Sequence, residues 1–173
     1  VEKTSLDFGQ LVAQALGEYD EKLRSAKLTP VYHQPEEPLM VLADGRHLWR
    51  VLDNLLNNCV KYAMPGTRVY LSLRQGTSFV TLEMKNISSE PLNLTAEELM
   101  ERFVRGDSSR TTEGSGLGLN IAQNLVSLQG GHFNLSVDGD LFKAIVTIPV
   151  APKEKSALSA LVSEKLRAVL LPL

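Results

Sequence analysis

The stretch EGSGLGLNIAQNLVSLQGG, residues 113–131, restricts the fold more than any other part of the chain. Gly114, Gly116 and Gly118 fall at alternate positions and run directly into Leu119, Ile121, Ala122, Leu125, Val126 and Leu128, whose spacing is that of an amphipathic helix. A loop therefore becomes a helix here. Glycine lets the backbone approach a ligand with no side chain in the way, and the free amides and dipole of a helix N-terminus favour an anion such as a phosphate. The helix ends at Gly130-Gly131, where glycine accepts a left-handed cap, and a strand pattern resumes with Phe133, Leu135 and Val137. Taken by itself, the stretch fits a polyphosphate cradle and a ligand-free Gly-rich connection equally well.

The remaining segments supply a sheet for that helix to cover. Leu6, Phe8, Leu11, Val12, Ala15, Leu16, Tyr19 and Leu23 repeat at three and four residues, which predicts a helix from an N-cap at Thr4 or Ser5 to about Lys27. Residues 28–41 contain three prolines and read as an edge hairpin with extended pieces around Val31 and around Leu39 to Leu42. Asp44 can cap a second helix with the apolar stripe Leu48, Val51, Leu52, Leu55, Leu56, Cys59 and Val60, ended by Met64-Pro65-Gly66. Alternation predicts strands at 68–74 and 79–85, joined at Gln75-Gly76, and a last pair at 133–137 and 144–150 around Asp138-Gly139. Between these hairpins, Thr95-Ala96-Glu97-Glu98 resembles a capping box opening a helix through about Phe103, and RGDSSRTTEGSG follows as a cover segment. The order predicts an α+β sandwich: a mixed, mostly antiparallel sheet with helices packed on one face. Residues 1–150 form this domain, and 151–173 a helical extension whose apolar side is Leu158, Leu161, Val162, Leu166, Val169 and Leu170.

Charge and cysteine usage narrow the partners. Eighteen basic and twenty acidic side chains leave a formal charge of -2, so no global field draws nucleic acid or an anionic membrane, and any phosphate site must be local. Cys59, the sole cysteine, precludes an internal disulfide, suits a reducing compartment and falls in a helical apolar pattern as a small buried side chain. No window reaches the roughly 20 apolar residues of a membrane span, and VEKTSLDF lacks a secretion-signal core. The chain opens on Val1, the expectation being a cytoplasmic piece of a longer, membrane-bound polypeptide.

The second helix carries polar residues among its leucines. Asn54, Asn58, Lys61 and Tyr62 are spaced so that they address one neighbouring space, with Asn57 beside them. A carboxamide oxygen can complete the octahedral oxygen shell of a nucleotide-bound Mg²⁺ or accept from its water, a lysine offers a point charge to phosphate, and a tyrosine ring can lie against a base. The same residues also suit the solvated side of a surface helix.

Read together, NLLNNCVKYA (54–63), LMERFVRGDSSR (99–110) and the glycine stretch, in this order, resemble the asparagine-rich, phenylalanine-containing and glycine-rich boxes of the ATP-binding catalytic domain of bacterial two-component sensor histidine kinases. The resemblance spans about residues 5–150. It implies the Bergerat-type fold shared with gyrase-type, chaperone and MutL ATPases, the GHKL superfamily, and ATP and Mg²⁺ as cofactors. It implies Asn58 in Mg²⁺ coordination, Asn54 near the phosphates, Lys61 neutralising phosphate charge and Tyr62 on the adenine side. Gly114, Gly116, Leu117, Gly118 and Leu119 would carry the triphosphate, Gly116, Leu117 and Gly118 through their amides, and Phe103 and Arg105 would belong to the lid. By this resemblance Asn58, Lys61 and Arg105 are the catalytic set.

One box departs from the family pattern. The usual aspartate that accepts from the adenine amino group, with a glycine-containing turn after it, is replaced by Asn86, followed by Ile87, Ser88 and Ser89. An amide oxygen can still accept that bond, provided that its nitrogen is turned away. His33, His47 and His132 all lack the acidic residue, threonine and proline that follow a phosphoacceptor histidine in the family. The resemblance therefore implies an upstream histidine-containing dimerisation domain, a homodimer when intact and a response regulator as partner. Two alternatives use the same fold: a non-catalytic nucleotide-sensing domain, and a serine-directed anti-sigma-factor kinase.

Overall fold

The computed structural model describes residues 1–92, 95, 97, 98, 100, 117–152, 165 and 166. The elements run β1 (Thr4–Asp7), α1 (Phe8–Ser25), β2 (Thr29–His33), β3 (Met40–Ala43), α2 (Gly45–Tyr62), β4 (Arg68–Gln75), β5 (Phe79–Ile87), α3 (Leu117–Leu128), β6 (His132–Asp138) and β7 (Leu141–Pro149). Five strands form a sheet in the order β2-β4-β5-β7-β6. Only β2–β4 is parallel among these pairs; the other three are antiparallel.

Alternation along the central strands decides which face is covered. Val80, Leu82, Met84 and Asn86 of β5 and Phe142, Ala144, Val146 and Ile148 of β7 are buried, whereas Thr81, Glu83, Lys85, Lys143 and Thr147 point the other way and stay partly exposed. On the outer face Lys85 stands directly opposite Lys143, and Glu83 lies between them, 3.6 Å from the Lys85 Nζ and 4.0 Å from the Lys143 Nζ. The inner face joins one continuous core with Phe8, Val12, Ala15 and Leu23 of α1, the leucines of α2, and Leu119, Ala122 and Val126 of α3. Among the described residues, helices α1, α2 and α3 thus cover one side of a mixed, mostly antiparallel sheet, as expected.

Two local expectations are corrected. The N-cap of α1 is Asp7, whose carboxylate accepts from the Gln10 N–H at 3.3 Å, and Thr4–Asp7 is a strand instead of the start of the helix. The proline-rich span is not a hairpin: β2 pairs with β4 at the sheet edge, while β3 pairs with β1 in a separate two-stranded sheet. Pro30 sits in β2, an edge strand, where its missing N–H is tolerated. The capping box is seen in part, because Thr95 Oγ1 accepts the Glu98 N–H at 3.1 Å. The cover segment 105–116 and most of the extension 151–173 lie outside the described residues. Of the extension's apolar side only Leu166 is described, in helical backbone and exposed.

Gln129 ties two helices together. Its side chain is fully buried, its Oε1 accepts the Asp44 N–H at 2.8 Å, and its Nε2 donates to the Leu125 carbonyl at 2.9 Å. The end of α3 is thereby fixed to the start of α2, and both helices are held in register for what lies at their other ends.

Candidate functional site

Helix α2 positions the polar stripe because its apolar residues leave no freedom of rotation. Leu48, Val51, Leu52, Leu55, Leu56 and Cys59 are buried, which puts Asn54, Asn57, Asn58 and Tyr62 half-buried on the rim and Lys61 exposed. At the N-terminus, Asp44 Oδ1 accepts the N–H groups of Arg46 at 3.0 Å and His47 at 3.3 Å, and Oδ2 accepts that of Glu2 at 2.9 Å. These donors, the Glu2 N–H first, hold the Asp44 carboxyl below the usual aspartate range against the opposing effect of burial.

The first turn of α3 lies against this rim. A Cβ placed on Gly118 would stand 3.7 Å from the Asn54 Cβ and 3.7 Å from its Cγ, so a methyl group there would be in ordinary van der Waals contact with the Asn54 side chain. The Asn54 Nδ2 is buried with no hydrogen-bond partner among the described residues. A buried donor left unpaired costs about 1–3 kcal/mol, so such an atom is suited to an acceptor beyond the described residues, such as a ligand oxygen. The position has room for a methyl group but not for a branch: we expect Gly118→Ala to fold normally, while Gly118→Val pushes its extra methyls onto the Asn54 side chain. In nucleotide titrations the valine variant should lose roughly tenfold or more in affinity with little change in thermal midpoint, the displaced Asn54 amide being worth about 1.5–3 kcal/mol against a charged group.

The other end of α2 is stitched to the end of β5. Met64 N–H donates to the Ile87 carbonyl at 2.8 Å, Ser89 N–H to the Tyr62 carbonyl at 2.9 Å, and Ala63 bridges Ser88. These bonds bring Asn86, 4% exposed, beneath the polar rim of α2. Cys59 Sγ lies 3.7 Å from Asn86 Oδ1 and 3.5 Å from Met84 Sδ. Sequence reasoning had Cys59 as a small buried side chain, which is correct, but missed its neighbour; two positions 27 residues apart meet only through the sheet.

Burial pushes the Cys59 thiol from its ordinary 9.0 up to about 12, and burial with the nearby Asp7 pushes the Tyr32 phenol up to about 12. Burial and the hydrogen bond to Asp53 raise Tyr19 in the same direction. For each, the folded state keeps a proton that the unfolded chain releases, so the stabilisation is complete below the unfolded value and is lost as pH rises through the folded one. Denaturant midpoints should therefore fall from about pH 9 towards pH 12, and Cys59→Ala should delay the onset of that fall towards the tyrosine range.

Of the residues singled out from sequence, the fold brings Asn54 against Gly118, keeps Asn58, Lys61 and Tyr62 within the last two turns of the same helix, and sets Asn86 beside the end of that helix. Leu117 is the first residue of α3. Leu119 is 1% exposed and belongs to the core, which leaves its backbone to face any ligand. Phe103, Arg105, Gly114 and Gly116 lie outside the described residues. The histidines stand elsewhere: His33 closes β2, His47 is in the first turn of α2, and His132 opens β6 with its ring 5.6 Å from that of Phe79. Among the described residues no group of three or more His, Cys, Asp or Glu could hold a metal ion, and no helix is long and apolar enough to cross a membrane.

Known proteins are similar to this chain in sequence and in fold. Residues 43–152 match the family described as histidine kinase-, DNA gyrase B-, and HSP90-like ATPase. The sensor protein VanS of Enterococcus faecium is 29% identical over 152 residues, which is 87% of this chain and 39% of that protein. The chain spans well under half the length of such curated relatives. Among solved structures, the catalytic domain of histidine kinase ThkA superposes with a TM-score of 0.74 at 24% identity, over 88% of this chain and all (100%) of that one. Full-length ShkA in complex with AMPPNP gives 0.71 at 21% identity, over 88% of this chain and 32% of that one. The first turn of α3 packed on the asparagine-bearing helix, the sheet behind them and the match over residues 43–152 together place the chain in the family of histidine kinase-, DNA gyrase B- and HSP90-like ATPases.

Proposed function

We propose that this domain binds Mg²⁺-ATP between the rim of α2 and the N-terminus of α3 and transfers the γ-phosphoryl group to a histidine on an upstream dimerisation domain of the same polypeptide, from which a response regulator is served. The observation that carries this reading is the Asn54 Nδ2, buried beside Gly118 at the start of α3 with no partner among the described residues. A donor in that position suits a phosphate oxygen, and the amides at the start of α3 suit the rest of the chain of phosphates.

Each residue then has a role in positioning. Asn58 would offer a neutral oxygen to Mg²⁺, whose charge would offset that of the phosphates, and amide donors with no carboxylate cage among the described residues fit a nucleotide-borne ion. Lys61 offsets phosphate charge, Tyr62 lies on the base side, and Asn86 accepts from the adenine amino group. Gly114, Gly116, Leu117, Gly118 and Leu119 form the cradle, with Phe103 and Arg105 in the lid. Phosphoryl transfer needs no covalent nucleophile from the protein beyond the acceptor, so positioning and charge are what such a domain provides. A membrane-bound, homodimeric parent completes the proposal, and the relatives' printed name, sensor protein, supports its sensing part.

The test mixes the chain with labelled ATP, Mg²⁺ and a separately supplied histidine-containing dimerisation domain. Phosphohistidine on the supplied domain supports the proposal. Nucleotide binding with no transfer would instead favour the non-catalytic sensing reading, to which the substitution of a carboxylate by Asn86 lends weight, and transfer to serine would favour the anti-sigma-factor type.

A further inference from the structure

Asn86 offers a choice that a carboxylate would not. The two ends of a carboxamide have nearly the same shape, but the oxygen accepts and the nitrogen donates, so only its neighbours decide which end a ligand meets. Cys59 is the neighbour that can decide. Its thiol, 2% exposed, lies 3.7 Å from the Asn86 Oδ1 and 3.5 Å from the Met84 Sδ. A thiol has one proton to give, and a carbonyl oxygen is a better acceptor than a thioether, so the proton goes to Asn86. Burial keeps that proton on the sulfur up to about pH 12, leaving the donor intact throughout the neutral range.

We infer that Cys59 is a positioning residue for base selection: its S–H holds the Asn86 oxygen on the α2 side, leaving the second lone pair of that oxygen to accept from the base and so favouring a 6-amino purine over a 6-oxo purine. The inference rests on the assignment of Asn86 to the base, made above. It gives Cys59 a task that packing alone would not, because an alanine would fill the core nearly as well without distinguishing the two ends of the amide.

The experiment compares the affinities of Mg²⁺-ATP and Mg²⁺-ITP for the 173-residue chain and four variants, each first shown to unfold cooperatively. The unaltered chain prefers ATP. Cys59→Ala should lower the ATP-over-ITP ratio by about threefold, the scale of one weak hydrogen bond, and Cys59→Ser, which retains a donor, should hold it. Asn86→Asp combined with Cys59→Ala should restore the preference without a thiol, since both ends of a carboxylate accept. Asn86→Ala should abolish it. A ratio unchanged or raised in Cys59→Ala, with the preference lost in Asn86→Ala, overturns the role of Cys59 and leaves Asn86 at the base. A ratio lost in both Cys59→Ala and Cys59→Ser, or not restored by the double variant, also overturns it. If Asn86→Ala leaves the ratio untouched, the base assignment itself fails.

Discussion

Asn58→Ala should abolish Mg²⁺-dependent ATP binding while the domain stays folded. Asn58 is half-buried on the rim of α2, one turn from Asn54, and its side chain is outside the leucine core that holds the helix in place. Alanine is the better helix former by several tenths of a kcal/mol, so the thermal midpoint should stay level or rise slightly. The ligand loses an oxygen donor to its ion. Even groups that only support a metal ligand are worth roughly 10–100-fold, so removal of the ligand itself should weaken Mg²⁺-ATP by about a hundredfold or more. Isothermal titration with and without Mg²⁺ measures this directly: the variant should show the same residual affinity in both conditions. Retained Mg²⁺-dependent binding would take Asn58 out of the site.

The largest effect on stability is expected at Gly131. A Cβ there would lie 2.1 Å from the Thr147 carbonyl oxygen and 3.0 Å from the Val126 Cγ1, in the corner where α3 hands over to β6 beside β7. Backbone cannot yield as the end of a flexible side chain can. Gly131→Ala should therefore cost about 3 kcal/mol, at the upper end of ordinary overpacking, and lower the thermal midpoint by about 10 °C in a domain of this size. Gly130 differs although it is adjacent: its φ of 77° is left-handed, and a Cβ would meet only the Pro149 Cγ at 3.7 Å. Gly130→Ala should cost about 1 kcal/mol from backbone strain alone. Urea unfolding of the two variants separates a requirement for space from a requirement for conformation.

That pair also illustrates what a linear sequence reveals. The Gly-Gly stop after α3 was legible, and the expected left-handed cap is Gly130, but the reason for the second glycine is a carbonyl of β7 that adjacency in sequence does not disclose. Helix α2 was readable to within two residues because Asp44 is a strong N-cap and the leucine spacing is strict. The hairpins β4–β5 and β6–β7 were readable as pairs, since each closes on its own neighbour, although β7 begins at Leu141, ahead of the expected start at 144. The proline-rich span was not. The partner of β2 comes after β3 and α2 in the chain, and β3 pairs backwards with a strand of four residues, too short to show any alternation beside the periodicity of α1.

The candidate site follows the same division. Asn54, Asn58, Lys61 and Tyr62 were visible because four polar residues interrupt an apolar stripe at helical spacing. The approach of Gly118 to Asn54 depends on how α2 packs on α3, and the meeting of Cys59 with Asn86 depends on a sheet register that no local pattern encodes. The buried Gln129 is a further case: no local pattern singles it out, yet it fixes the start of α2 by accepting the Asp44 N–H.

The rim of α2 and the first turn of α3 are proposed to bind one ligand together. Titrating an isotope-labelled chain with ATP, with Mg²⁺ present and then chelated, tests it most directly. The side-chain amides of Asn54 and Asn58 and the backbone amides of Leu117, Gly118 and Leu119 should shift along one binding curve, and chelation should weaken that curve. Shifts confined to one helix, or an unchanged curve on removal of Mg²⁺, would contradict it.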